Sequence, residues 1–495
     1  MTDVGNKLWG FCHTLRHDGI DYGDYIEQIT YLLFLKMMDE RGQDLSRCSF
    51  LDAEGEEEVL DCSWPALASR SGTALLEHYE NMLRALGKQK GTLGDIYAGA
   101  QSRFSNPVNL KKLIGLIDEV EWTSLGVDVK ASAYEDLLEK AASEGKKGAG
   151  QYFTPRVLIE AIVRCVKPDP RVHPEFTVCD PAVGTGGFLV AAYEWLVKPV
   201  KEGGVGAAAM ARDTALRVKR QTYFGNELVP RPRRLALMNL LLHGVEPHIK
   251  LGDTIYEPFD DRFYDVILTN PPFGTRGANQ APEREDFTIE TSNKQLNFLQ
   301  HIIKALKPGG RAAVVLPDNC LFADQAGEVF EILTHDCDLH TVLRLPRGTF
   351  TPYSPGVKAN VVFFTKGPPS ERTWIYDART NVPSITKKDR PLTEGHFMDF
   401  ERCFGADPNG RAARSASDSA DSRWRVFHIS EVKERNYKLD SLKWLREESV
   451  NGADELPEPE ELATDAIAEL ESAVEELNSI LAMLESETVP SLGVV

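Results

Sequence analysis

Between about residues 150 and 380, short apolar strand-like runs alternate with helical patterns, and nothing else in the chain constrains the fold as much. The runs are Phe176–Cys179, Thr222–Gly225, Ile249–Leu251, Tyr264–Thr269, Arg311–Leu316, Leu339–Leu343 and Asn360–Thr365. Helical patterns intervene at Phe188–Val197, Pro232–Leu242 and Leu296–Leu306. Strands alternating with helices specify an α/β domain with a mostly parallel, seven-stranded sheet. The last two runs have no helical pattern between them and are expected to pair antiparallel at a sheet edge.

The flanks read differently. Residues 1–145 are expected to form an all-helical domain, with Tyr25, Ile29, Leu32, Leu33 and Leu35 at helical spacing and further helices over Ala74–Leu86 and Val129–Ala142. The acidic insert Asp52–Asp61 reads as a solvated loop, and the Gly/Lys-rich Glu144–Gly150 as a boundary. The sheet domain then spans 146–405. Residues 406–423 are polar and Ser/Ala-rich, the composition of a flexible linker or loop. In the last segment, 424–495, Ala463, Ile467, Leu470, Val474, Leu477, Leu481 and Leu484 step by four and three. That is an a/d seam, so a coiled-coil-like helix at about 462–485 is expected to associate with a partner subunit.

The formal net charge is −19, which argues against a simple basic nucleic-acid binder. The charge is local, however. Residues 447–495 hold fourteen acids and no Lys or Arg, and Asp52–Asp61 holds six acids and no bases. The remainder is about neutral, and the cluster Arg231, Arg233 and Arg234 reads as available for phosphates. Eight cysteines without a CxxC pair, and eleven histidines without an HxH or HExxH pattern, give no sign of a zinc site or disulfide framework, and no metal is expected. No signal peptide is visible. The apolar runs fall short of the roughly 20 residues of a membrane span, so a cytoplasmic location without membrane contact is expected.

Chemistry gathers at the strand ends. Asp180-Pro181-Ala182-Val183-Gly184-Thr185-Gly186-Gly187-Phe188 follows one strand and opens a helix, where an open parallel sheet binds ligands. Its glycines let backbone approach a ligand closely. An acid before the turn disfavours a pyrophosphate and suits a ligand carrying an amino group and a sulfonium. Glu227 ends the next strand and can accept from two ribose hydroxyls. Asp253 follows another and can receive the amino group of an adenine ring. Each acid alone is more often a helix cap or a solvated residue; three at successive strand ends are a stronger signal.

The strand Asp265–Thr269 runs straight into Asn270-Pro271-Pro272-Phe273. Two prolines impose a rigid, extended exit. The Asn270 amide oxygen and the Pro271 carbonyl can accept both hydrogens of an exocyclic amine, freeing its delocalised lone pair to attack a methyl sulfonium. Phe273 offers a face on which an extruded base can stack. Catalysis would then rest on positioning and electrostatics. A further segment, Gln151-Tyr152-Phe153-Thr154-Pro155-Arg156, introduces a helix, with Thr154 read as N-cap and Pro155 as a first-turn residue. Its aromatic rings could attract a sulfonium.

On these residues the chain resembles the modification (M) subunits of type I restriction–modification systems, which are N6-adenine DNA methyltransferases. Gln151–Arg156 matches the family's QYFTPR motif, Asp180–Phe188 its DPAxGTGGF motif and Asn270–Phe273 its NPPF motif, in the order of the gamma class. Weaker matches are Leu235–Leu240 with His243-Gly244, Leu306–Arg311, Val315–Asn319 and Glu434–Leu439. The resemblance implies S-adenosylmethionine as cofactor, held by Gln151, Tyr152, Phe153, Thr154, Pro155, Arg156, Asp180, Gly184, Thr185, Gly186, Gly187, Glu227 and Asp253. It implies catalysis by Asn270, Pro271, Pro272 and Phe273. It also implies DNA as substrate, a separate specificity (S) subunit flanked by two M subunits, and a possible restriction (R) subunit. One departure is an insertion near Glu202–Arg220 with no evident place in the fold. Two other readings compete: an RNA or protein-glutamine amino-methyltransferase, and a catalytically dead scaffold. The helical N-terminal region and QYFTPR argue against the first, and the intact Asn270, Phe273, Asp180 and Glu227 against the second.

Overall fold

The computed structural model describes residues 8–12, 19–51, 55–122, 124, 133–140, 153–207, 210–273, 281–323, 325–351, 354, 356–416, 419, 421–445 and 467. The N-terminal region is built on α1 (Tyr22–Glu40), which is capped by Asp21 and buried along most of its length. Around it pack α2 (Trp64–Ala68), α3 (Gly72–Leu86), α4 (Gly91–Tyr97) and α5 (Pro107–Asp118), and residues 133–140 are also helical. Buried tyrosine hydroxyls find partners here: Tyr97 donates to the Tyr31 carbonyl at 2.6 Å and Tyr79 to Gln28 Oε1 at 3.1 Å. The region is not all helical. The strands β1 (Cys48–Leu51) and β2 (Glu57–Leu60) pair antiparallel, so part of the acidic insert is hairpin rather than loop. Its acids stay solvated because β2 is almost entirely exposed.

The sheet comprises β3 (Val178–Asp180), β4 (Tyr223–Glu227), β5 (His248–Leu251), β6 (Tyr264–Thr269), β7 (Leu306–Pro317), β8 (Cys337–Arg344), β9 (Ala359–Lys366), β10 (Arg372–Asp377) and β11 (Trp424–His428). The order is β11-β10-β8-β9-β7-β6-β3-β4-β5, nine strands where seven were expected. β3 to β7 are mutually parallel, and β9 is antiparallel to both β7 and β8. The β8–β9 pair is therefore antiparallel as expected, but it is interior. β10 adds parallel to β8 and β11 antiparallel to β10, forming the edge.

Helices cover both faces. On one lie α6 (Arg156–Val166), α7 (Gly187–Val197) and α9 (Pro230–Leu242), continuous with the N-terminal core. On the other lie α10 (Lys294–Ala305) and α11 (Ala326–Asp336). In α6, Leu158, Ile159, Ile162, Val163 and Val166 recur at i, i+3 and i+4 and bury one stripe against the sheet. The unplaced insertion becomes α8 (Arg212–Gln221), whose Arg217 donates to the carbonyls of Pro170, His173 and Pro174 beside the entry to β3.

Arg231, Arg233 and Arg234 on α9 do not face phosphates. Arg234 is 4% exposed, pairs with Glu27, and donates to the carbonyls of Ile96 (2.5 Å) and Ala98 (2.7 Å). Arg231 pairs with Asp24 and Arg233 with Asp95 at 3.1 Å. The cluster fastens the helical region onto the sheet domain. Nor is the polar stretch after α12 (Gly395–Phe404) a free linker. Lys167 donates to the Ala406 carbonyl, and Arg414 donates to the Phe404 and His340 carbonyls and to Thr341 Oγ1. The chain then enters β11, where Trp424 stacks on Trp374 at 5.0 Å, and α13 (Ile429–Lys433). Residues 424–433 thus complete the sheet domain. The heptad helix lies outside the described residues, apart from Ile467, which is helical and exposed.

Candidate active site

The site forms where β3, β4, β5 and β6 end side by side. Asp180 closes β3 and is 2% exposed, accepting from the Ala182 amide at 3.0 Å. Burial, with the neighbouring Glu227 charge, pushes its carboxyl up to about 7. The following turn needs glycine at two points: Gly184 (φ +54°) and Gly186 (φ +86°) are left-handed, and a Cβ on Gly186 would also meet the Ala236 backbone at 3.4 Å. α7 starts at Gly187, and the Thr185 carbonyl accepts from Asn239 at 3.2 Å.

Glu227 joins two turns. Its Oε2 accepts from the Gly184 amide and its Oε1 from the Val229 amide, both at 2.9 Å, and burial raises its carboxyl above the usual range. Gly225 permits this approach, since a Cβ there would lie 2.9 Å from Ile249 and 3.1 Å from the Asp180 carbonyl. Asp253 caps its own turn, its Oδ1 accepting from the Ile255 and Tyr256 amides at 2.9 and 3.1 Å. Its neighbour Thr254 donates to the Pro181 carbonyl at 2.6 Å, tying this turn to the first. The three acids are therefore brought to one edge.

Asn270 follows β6. Its Nδ2 donates to Thr154 Oγ1 at 2.9 Å, and its buried Oδ1 has no hydrogen-bond partner among the described residues. A buried acceptor left open costs about 1–3 kcal/mol, and at this strand end, beside the acids of the glycine turn, a ligand donor is the group that can offset that cost. Thr154 is thus an acceptor for Asn270 and not, as expected, the helix cap; Pro155 occupies that position without a side-chain bond, and α6 begins at Arg156. Pro271 is buried and Pro272 exposed, with the Pro272 carbonyl accepting from Gln295 at 2.6 Å. Phe273 is only 7% exposed and meets Phe350 edge-on, with centroids 5.5 Å apart. Gln295 and Phe350 were not singled out from the sequence, because their partners lie 23 and 77 positions away.

Arg156 is committed elsewhere than to a cofactor. It binds Glu135 at 3.0 Å, Glu160 at 3.1 Å, and Glu194. Glu135, Glu194 and His243 hold ligand atoms within 4.8 Å of one another. Against its burial, the His243 hydrogen bond and Arg156 hold the Glu194 carboxyl down to about 2, so an ion-pair network already satisfies this cluster. Gln151 and Tyr152 lie outside the described residues.

A parallel sheet with a glycine turn between acids, and an open amide acceptor at the neighbouring strand end, defines an S-adenosylmethionine-dependent amino-methyltransferase. Comparison with known proteins carries this further. The N-6 DNA Methylase family matches residues 126–452, and the HsdM N-terminal domain family matches residues 4–117. The chain is 38% identical to the type I restriction enzyme EcoKI methylase subunit of Escherichia coli K12 and to the StySPI methylase subunit of Salmonella potsdam, covering 97% of this chain and 94% of each relative. The crystal structure of the EcoKI M protein superposes with a TM-score of 0.53 at 34% identity, covering 98% of this chain and 96% of that one. A chain from a structural study of type I restriction–modification complex assembly gives 0.72 at 28% identity, over 98% and 99%. The chain belongs to the N-6 DNA methylase family as a type I restriction enzyme methylase subunit, and it methylates adenine N6 in DNA with S-adenosylmethionine.

Proposed function

We propose that methyl transfer in this subunit is carried by Asn270, acting on an adenine taken out of its duplex, with a separate specificity subunit choosing the sequence. The observation that supports this reading is the buried, open Oδ1 of Asn270. An exocyclic amine supplies the missing donor. Oδ1 accepts one N–H, the Pro271 carbonyl accepts the other, and the nitrogen moves toward tetrahedral geometry with its lone pair freed. Phe273, packed on Phe350, holds the ring plane against the Asn270 exit. When bound, S-adenosylmethionine supplies an electrophilic methyl group on its sulfonium. The donor set suits that cofactor: Asp180 faces a cationic amino group, Glu227 a ribose, and Asp253, whose Oδ2 is not engaged by the turn, a base amine. Gly184, Thr185, Gly186 and Gly187 form the floor, and Phe153, Thr154 and Pro155 the adjoining wall.

In the assembly, two such subunits flank one S subunit, an R subunit can join, and the complex works in the cytoplasm. Among the described residues no helix is long and apolar enough to cross a membrane. The test is Asn270→Ala in the complex with its S subunit, followed by transfer of labelled methyl to DNA and mass spectrometry of the product. Transfer is expected to fall about 100- to 1000-fold, on the order of the loss of a transition-state-only contact, while cofactor affinity stays within a few-fold. Unimpaired turnover by the variant refutes the assignment, and a product on RNA or glutamine refutes the substrate.

A further inference from the structure

β3 to β7 run parallel, and because β9 reverses between β7 and β8, β8 and then β10 return to the same direction. The loops after β6, β8 and β10 therefore leave from one end of the sheet. The first carries Asn270 and Phe273. The second carries Phe350, whose ring meets Phe273, and three residues earlier the exposed Arg347. The third is fastened to the second: the Ile385 amide donates to the Arg347 carbonyl at 2.8 Å, and Gly348 lies so close that a Cβ would sit 2.3 Å from the Ile385 carbonyl oxygen.

Beyond Ile385 the chain closes a tight turn. The Thr386 amide donates to the Arg390 carbonyl and the Arg390 amide to Thr386 Oγ1, both at 3.0 Å. The turn presents Lys387, Lys388, Asp389 and Arg390 to solvent. Among the described residues the side chains of Lys387, Lys388 and Arg390 make no hydrogen bond or ion pair. The contrast with neighbouring cations is sharp. Arg379, earlier in the same loop, is bound to Asp318 at 2.5 Å, and Arg344 lies 3.6 Å from Asp377. Structural arginines here are answered by carboxylates, whereas Lys387, Lys388 and Arg390 leave the turn with a net surplus of positive charge, at the end of the sheet from which Asn270 emerges.

We propose that the 385–390 turn is a clamp for the duplex phosphates beside the extruded adenine. This rests on the DNA-methylase reading and adds a surface to it. Lysines on a short turn act as point charges toward phosphate, and such contacts position a duplex without reading its sequence. That suits a subunit whose sequence choice is made elsewhere. The clamp would also offset part of the unstacking cost, a few kcal/mol for an extruded base.

The test uses the complex of this subunit with its S subunit and a Lys387→Ala/Lys388→Ala/Arg390→Ala variant. DNA binding is titrated at salt concentrations between about 50 and 200 mM, on target and non-target duplexes, alongside cofactor binding and S-subunit co-purification. The salt slope is expected to become shallower by about 2 to 3, near 0.9 per lost phosphate contact. Affinity is expected to fall on the order of 10- to 100-fold on both duplexes, with cofactor and S-subunit binding unchanged. A Lys387→Arg/Lys388→Arg variant is expected to behave as wild type. An unchanged salt slope overturns the clamp, and so does loss of the S subunit, which would make the patch a protein contact. Failure of the wild-type complex to methylate adenine would instead overturn the underlying reading.

Discussion

Asp180→Asn should make the cofactor-free protein more stable and a poorer enzyme. Asp180 is buried beside Glu227, and its carboxyl titrates at about 7 instead of 3.8. Below pH 3.8 the acid is neutral whether folded or unfolded, and folding carries no charge penalty. Between 3.8 and 7 the unfolded chain releases a proton that the folded chain retains, so stability is lost as pH rises and the loss levels off above 7. The full difference, about three pK units, corresponds to about 4 kcal/mol. Asparagine resembles the neutral acid in shape, keeps an oxygen for the Ala182 amide, and does not titrate. The variant should therefore melt several degrees higher at pH 8, at about 2 °C per kcal/mol for a domain of this size. The gain should be about half as large at pH 5.5 and should vanish near pH 4. Calorimetric melts without cofactor, in buffers across this range, measure it directly. Cofactor affinity should fall at least 10-fold, since the carboxylate facing the amino group is gone. A variant that melts lower than wild type at pH 8, or a difference independent of pH, refutes the reasoning.

Thr154→Val removes the acceptor that fixes the Asn270 amide, and leaving that donor without a partner costs about 1–3 kcal/mol. Turnover should fall about 10- to 100-fold with cofactor affinity nearly unchanged, and Thr154→Ser should restore it; equal losses in both variants would indicate a packing role instead. Glu27→Ala strands the buried Arg234 guanidinium and should cost about 3–5 kcal/mol, read as a lower denaturant midpoint and easier proteolytic release of the helical region. An unchanged midpoint would mean that the Ile96 and Ala98 carbonyls suffice to hold Arg234.

The central strands were legible because they are buried on both faces and bounded by turn residues; β6 spans Tyr264–Thr269 as expected. β10 and β11 were not, because RTWIYD and WRVFH are mixed in polarity and the stretch between them, which includes α12, hides their pairing. The β1–β2 hairpin was hidden among acids, where pairing rather than hydrophobicity makes the strand. Asp180, Glu227 and Asn270 could be read from their positions at strand ends. Thr154 could not: Thr-Pro before a helix signals a cap, and the hydroxyl's partner is 116 positions away. The arginines of α9 misled for the same reason. Their carboxylates belong to the helical region, and spacing along one helix reveals nothing about a partner more than 130 residues distant.

Arg344, at the carboxyl end of β8, also donates to the carbonyls of Leu439 and Leu442 at 3.3 and 3.1 Å. It thereby pins the chain shortly before residue 446 at the same end of the sheet from which Asn270 emerges. A partner bound through residues 446–495 is therefore joined to the subunit at that end of the sheet. Its encounter with that end is then set by an effective local concentration, not by free diffusion. A subunit recruited through those residues can remain engaged with the enzyme even where its direct contact with the catalytic face is weak.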